Sequence, residues 1–163
     1  MKKYLLLLAI CWCFISCGPN YILDKKIDFQ DNQWTYADSI SFEVDIVDSE
    51  KLFNCFIDIE HLTEYSFQNL YIRWHMISPD GTRETKQISI PLLEKTGIWK
   101  GNCNSDECDF RYSLQQKMNF DKPGKYSFSI EQFMRKNPLE GIQSVAFRIE
   151  DIGEKIDPST REK

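Results

Sequence analysis

The chain has 163 residues, 20 Lys plus Arg against 25 Asp plus Glu, and a formal charge of −5. That is the size of one domain with an appendage, and the acidic balance argues against a nucleic-acid binder, which needs a basic patch to displace counterions. With 42% hydrophobic and 13% aromatic residues the chain is too apolar to be disordered, and its 7 Gly leave little room for a phosphate-cradling loop.

The N-terminus reads as an export address. Lys2 and Lys3 precede an uncharged apolar run from Tyr4 to Ile15. A run of about a dozen residues suits a signal-peptide core and falls short of the roughly 20 that span a bilayer. Phe14-Ile15-Ser16-Cys17 then sets a small residue directly before Cys, which resembles a bacterial lipobox, with Phe14 where Leu is usual and Ser16 in place of Ala or Gly. In that reading residues 1–16 are a signal peptide and Cys17 becomes the lipid-bearing first residue. Residues 17–32 form a polar tether that starts with Gly18-Pro19-Asn20. Each buried methylene contributes roughly 0.8 kcal/mol, so several acyl chains hold a protein at a membrane where one is marginal. No acidic cluster follows Cys17, and the expected location is the outer membrane, facing the periplasm. Cleavage removes two lysines and no acid, so the mature formal charge is −7 and the anchor is covalent rather than electrostatic.

Export places the remaining cysteines in an oxidising compartment. Cys11 and Cys13 leave with the leader, and Cys17 takes the lipid. Cys103 and Cys108 enclose a short acidic loop and are expected to form a disulfide, contributing about 2 kcal/mol by loop closure. Cys55 lies in the apolar run Phe53-Asn54-Cys55-Phe56-Ile57 and reads as a buried thiol.

Beyond the tether the dominant period is two. Ile40, Phe42, Val44 and Ile46 alternate with Ser41, Glu43 and Asp45. Phe53, Cys55, Ile57 and Ile59 do the same, as do Leu70, Ile72, Trp74 and Met76. Ser78-Pro79-Asp80-Gly81 is a turn, and the chain returns through Ile88 and Ile90 to complete a hairpin. Phe110–Leu114, Lys125–Phe133 and Gln143–Ile152 are further strands, with Met134–Ile142 a turn-like crossover holding Pro138 and Gly141. Period-two runs with turns between them and no helical stripe predict an all-β fold. About eight strands suit an antiparallel two-sheet β-sandwich, of which the jelly roll is one form. The domain is expected over residues 33–152, with 153–163 a flexible, charged tail.

Nothing in this pattern builds an enzyme. No nucleophile elbow, zinc-protease or phosphate-loop motif occurs. No cofactor is implied, and two His are too few for a zinc centre. His61 and His75 read as surface or satisfied side chains, with His75 on a polar strand face. Asp58 with Glu60, and Glu43 with Asp45, read as solvated strand faces rather than catalytic pairs. Trp34 and Trp99 could form a stacking platform for a glycan if exposed, and Trp74 is in phase with the core.

The most specific pattern lies further along. Gly97-Ile98-Trp99-Lys100-Gly101 is followed by Gly124-Lys125-Tyr126-Ser127-Phe128-Ser129-Ile130-Glu131-Gln132-Phe133-Met134-Arg135 and by Pro138-Leu139-Glu140-Gly141-Ile142. Upstream stands Tyr65-Ser66-Phe67-Gln68-Asn69-Leu70. In this order, behind a lipidated N-terminus, the chain resembles the GldH family of gliding-motility lipoproteins. The resemblance implies a non-catalytic envelope protein, held at the membrane by its lipid and touching other envelope proteins of a gliding or secretion-linked apparatus. Gln132, Met134, Arg135 and Trp99 are the candidate partner-binding residues. An amide at Gln132 and a guanidinium at Arg135 could equally lock the crossover to the sheet.

Overall fold

A computed structural model describes residues 18–157. The expected signal peptide over residues 1–16, the expected lipid site Cys17 and residues 158–163 lie outside the described residues. The strands in chain order are β1 (Tyr21–Asp28), β2 (Gln33–Trp34), β3 (Ile40–Ile46), β4 (Lys51–Leu62), β5 (Asn69–Ile77) and β6 (Arg83–Pro91). They continue with β7 (Asn102–Cys103), β8 (Glu107–Met118), β9 (Gly124–Gln132), β10 (Leu139–Glu140) and β11 (Ile142–Lys155). One sheet has the order β1-β11-β4-β8-β7 and the other β3-β9-β5-β6, with β10 and β2 a short separate ribbon. All these pairings are antiparallel.

Setting aside the two-residue strands, the chain passes from sheet to sheet at every step except the β5–β6 hairpin. That order is the jelly roll, an antiparallel sandwich of interlocked Greek keys. Alternation explains why the sheets face one another: a strand such as β3, buried at every second residue, has one dry side to cover. Phe147 of β11 reaches across to Phe42 of β3 and Phe128 of β9, with ring centroids 5.8 and 5.2 Å away. Burying a side chain of this size contributes roughly 1.5–3 kcal/mol. Phe120 closes the core at one end, 5.3 Å from Phe53 and 4.6 Å from Tyr126.

The domain is longer at both ends than its sequence pattern indicates. Tyr21–Asp28, expected as tether, is the edge strand β1 and pairs with β11 from Tyr21↔Glu150 to Asp28↔Ser144. Only Leu23 of this strand is buried, so it carries no alternating signal; backbone hydrogen bonds hold it instead. At the other end β11 runs past Gly153 to Lys155, which pairs with Lys51, so the expected tail begins later. Gly124 shows why the β8–β9 turn needs glycine: its φ is +136°, and a Cβ there would come within 2.7 Å of Pro79.

Candidate functional site

β9 ends at Gln132, and the chain then crosses to the β10–β2 ribbon through a loop containing a cis Asn137–Pro138 bond. Gln132 is buried, and its amide fastens that loop. Its Oε1 accepts from the Met134 N–H at 2.9 Å, and its Nε2 donates to the Lys136 carbonyl at 3.3 Å. Met134 is buried too; its sulfur accepts from the Tyr71 N–H at 3.3 Å. The Phe133 N–H donates to the Tyr71 carbonyl at 2.7 Å, which extends the β5–β9 ladder by one residue. From the β2–β3 loop, the Tyr36 hydroxyl donates to the Met134 carbonyl at 2.6 Å and the Tyr36 N–H to Asn137 Oδ1 at 2.9 Å.

These bonds fix an open groove of about 750 Å³ lined by Tyr36, Phe67, Asn69, Tyr71, Gln87, Phe133, Met134 and Arg135. Three of its aromatic rings remain in contact with water: Tyr36 is 55% exposed, Tyr71 39% and Phe133 37%. Arg73 lies over the Phe133 ring with its guanidinium carbon 3.8 Å from the centroid. Of the four side chains singled out from the sequence, only Arg135 is exposed. Gln132 and Met134 hold the groove's floor.

Trp99 does not reach this groove. It packs edge-on against His61 at 4.7 Å, next to Tyr65, and its indole N–H donates to the Thr63 carbonyl at 3.2 Å. Tyr65 in turn contacts Phe67 at 5.6 Å, so an aromatic chain runs from Trp99 to the groove wall. Trp34 is fully buried, stacked on Phe29 at 5.1 Å, with its N–H given to the Asp38 carbonyl. Neither indole is a flat, open platform for a sugar ring.

A model of the GldH lipoprotein family matches residues 21–149. The chain belongs to that family. It is 31% identical over 144 residues to a protein named gliding motility lipoprotein GldH homolog from Christiangramia forsetii, covering 84% of this chain and 88% of the relative. It is 27% identical over 153 residues to gliding motility lipoprotein GldH of Flavobacterium johnsoniae, covering 90% of this chain and 94% of the relative. Every residue of the groove lies inside the family match, and Cys17 lies before it.

Several charged groups elsewhere are engaged in holding the fold. Arg111 binds Asp58 through two bonds and also donates to the Tyr21 hydroxyl at 2.9 Å. Arg148 contacts the same Asp58 and bonds Asp24 at 2.8 Å. Glu60 accepts from Lys26 at 2.6 Å and from Ser144 at 2.8 Å. Burial alone would raise the Glu60 carboxyl; those two donors more than offset it and hold it below the usual range. Asp58 and Glu60 are thus charge-paired and offer no free acid–base couple. Among the described residues no three His, Cys, Asp or Glu side chains are placed to hold a metal ion.

Both histidines are buried, so of the expected surface or satisfied positions neither is a surface one. His61 follows Phe53, Cys55, Ile57 and Ile59 on the inner face of β4, and desolvation pushes its pKa down. His75 does sit on the outer face of β5, where Thr85 covers it at 2.8 Å. Cys103 and Cys108 form the disulfide across the β7–β8 hairpin. The groove aromatics were not legible: Tyr71 interrupts the polar face of β5 and Phe133 follows Gln132 out of phase, and each alone reads as a scattered surface residue.

Proposed function

We propose that this chain is an exported lipoprotein of the cell envelope that works without catalysis, by protein–protein contact in a gliding or secretion-linked apparatus. Cys17 carries the lipid, and the outer membrane, facing the periplasm, is the site of action. The names of the relatives support the gliding assignment. One observation carries the contact role: Tyr36, Tyr71 and Phe133 stand exposed around a groove whose crossover loop is pinned by Gln132 and Tyr36, next to a solvent-facing Arg135. Rigid aromatic side chains beside an arginine supply contact area at low entropic cost, the usual composition of interface hot spots.

A photo-crosslinking residue placed at Phe133 in intact cells tests this reading. A discrete crosslink to another envelope protein, lost with Arg135→Glu, supports it. A glycan affinity that disappears with Trp99→Ala would replace it with the carbohydrate-binding alternative. Fatty-acid labelling that persists in Cys17→Ser would remove the anchor.

A further inference from the structure

The position of β1 gives the sandwich a bottom and a top. The Asp151 N–H donates to the Asn20 carbonyl at 2.9 Å, so the chain is fixed to the sheet from Asn20 onward. Between that point and Cys17 lie three residue steps, a leash of at most about 11 Å. The domain is much longer than its leash: twelve-residue β4 alone spans about 40 Å.

Register places the other elements relative to this attachment. Tyr21 pairs with Glu150, and β11 carries on to Lys155 opposite Lys51, so the β3–β4 turn lies at the tethered end. Phe53 at the start of β4 meets Phe120 and, through it, Tyr126 near the start of β9. Gly124 touches Pro79, which brings the β5–β6 turn to the same end. The groove belongs to the opposite end, where β9 finishes and β5 begins.

The surface of the tethered end is distinctive. Val47, at the β3–β4 turn, is 87% exposed. Four lysines at this end are each bridged to a carboxylate: Lys51 to Asp151 at 2.6 Å, Lys117 to Glu154 at 2.7 Å, Lys122 to Asp80 at 2.5 Å and Lys155 to Asp48 at 3.0 Å. Such paired charges neither drive the rim onto anionic headgroups nor repel it strongly. The flank along β1 and β3 is different. Its surface depression is lined by Asp28, Asp31 and Asp38, and the Asp28 side chain is 78% exposed. Lys26 bridges Asp28 at 3.4 Å, but among the described residues no ion pair reaches Asp31 or Asp38, so laying that flank on a membrane would press those two carboxylates against anionic lipid.

We infer that the sandwich stands end-on at the bilayer, with the Val47 turn, the Pro79–Gly81 turn and the Lys122 loop against the lipid headgroups and the aromatic groove pointing away from them. This rests on the lipid anchor proposed above. The partner of the lower surface is therefore the lipid headgroup layer, while the groove is lifted about 25–30 Å, the length of β9, into the aqueous space.

The test uses the full lipidated chain in vesicles of phosphatidylethanolamine and phosphatidylglycerol that carry a quencher on a fraction of the headgroups. Val47→Cys, Asp28→Cys and Arg135→Cys are each labelled with a fluorophore. Quenching at position 47 is expected to exceed that at position 135 at least about threefold, given the height difference along the strands, with position 28 weaker than 47. Equal quenching at the three positions, or strongest quenching at 28 or 135, overturns the orientation while leaving the anchor intact. Failure of the protein to float with the vesicles overturns the anchor and the orientation together.

Discussion

Arg111 grips Asp58 with two arms of its guanidinium, Nε to Oδ1 at 2.7 Å and Nη2 to Oδ2 at 2.8 Å. Arg148 of β11 meets the same carboxylate, so one acid on β4 ties together the strands on either side of it. Asp58→Asn keeps the shape and removes the charge, leaving two guanidinium groups without their shared counter-ion. Stability is expected to fall by about 1–3 kcal/mol, less than for a fully buried pair because the Arg111 side chain is 45% exposed. A lower urea midpoint with an unchanged m-value is the expected readout. Glu43→Gln, at the exposed Lys125 pair, should cost under about 0.5 kcal/mol in the same assay.

His61 makes stability depend on pH. Burial among Trp99 and Tyr65 favours the neutral ring, and the Leu62 carbonyl at Nδ1 only partly opposes this, so the folded pKa lies below 6.5. The unfolded chain therefore binds the proton first as pH falls. Stability is fully present above about pH 6.5 and is lost as pH drops through that value toward the folded pKa, by at most about 1.4 kcal/mol per pH unit. His61→Phe should flatten the profile between about pH 6.5 and pH 5, above the range where carboxylates titrate. Urea unfolding across that window measures it.

Thiol chemistry should divide the cysteines of the mature chain. Cys55 is fully buried and desolvation pushes its pKa up to about 12, so no reactive thiolate is presented. A thiol reagent without reductant should find no fast site in the native protein and one in denaturant. Adding reductant should expose Cys103 and Cys108 as well. Fast native labelling would show that Cys55 is accessible, and three thiols before reduction would show that the bridge is absent.

Gly101 closes the G-x-W-x-G run at a φ of +92°, and a Cβ there would lie 2.2 Å from the Asp109 carbonyl oxygen. The contact is with backbone, so it cannot be relieved by a rotamer change. Gly101→Ala should cost about 2 kcal/mol or more and loosen the β7–β8 hairpin. Gly97→Ala also meets a positive φ of +84° but open space, and should cost less. Thermal unfolding of the two variants side by side checks the order.

Alternation fixed the fold class because strands such as β3 and β9 have one dry face, and Ile40-Ser41-Phe42-Glu43-Val44 can satisfy that in only one way. The same logic located the hairpin, the buried Cys55 and, through the cysteine spacing in an exported chain, the Cys103–Cys108 bridge. The expectation of a leader and lipobox rests on local sequence alone and lies outside the described residues. Tertiary structure decided the rest. β1 is held by backbone pairing at a sheet edge, which leaves no trace in hydrophobic period. His61 is buried because Trp99 arrives from a loop 38 residues away to close over it beside the neighbouring Tyr65. The groove exists because Tyr36 hydrogen-bonds a loop nearly a hundred residues away, and no local pattern encodes that meeting. A period of two reports which way a side chain points; it carries no information about which segment comes to cover it.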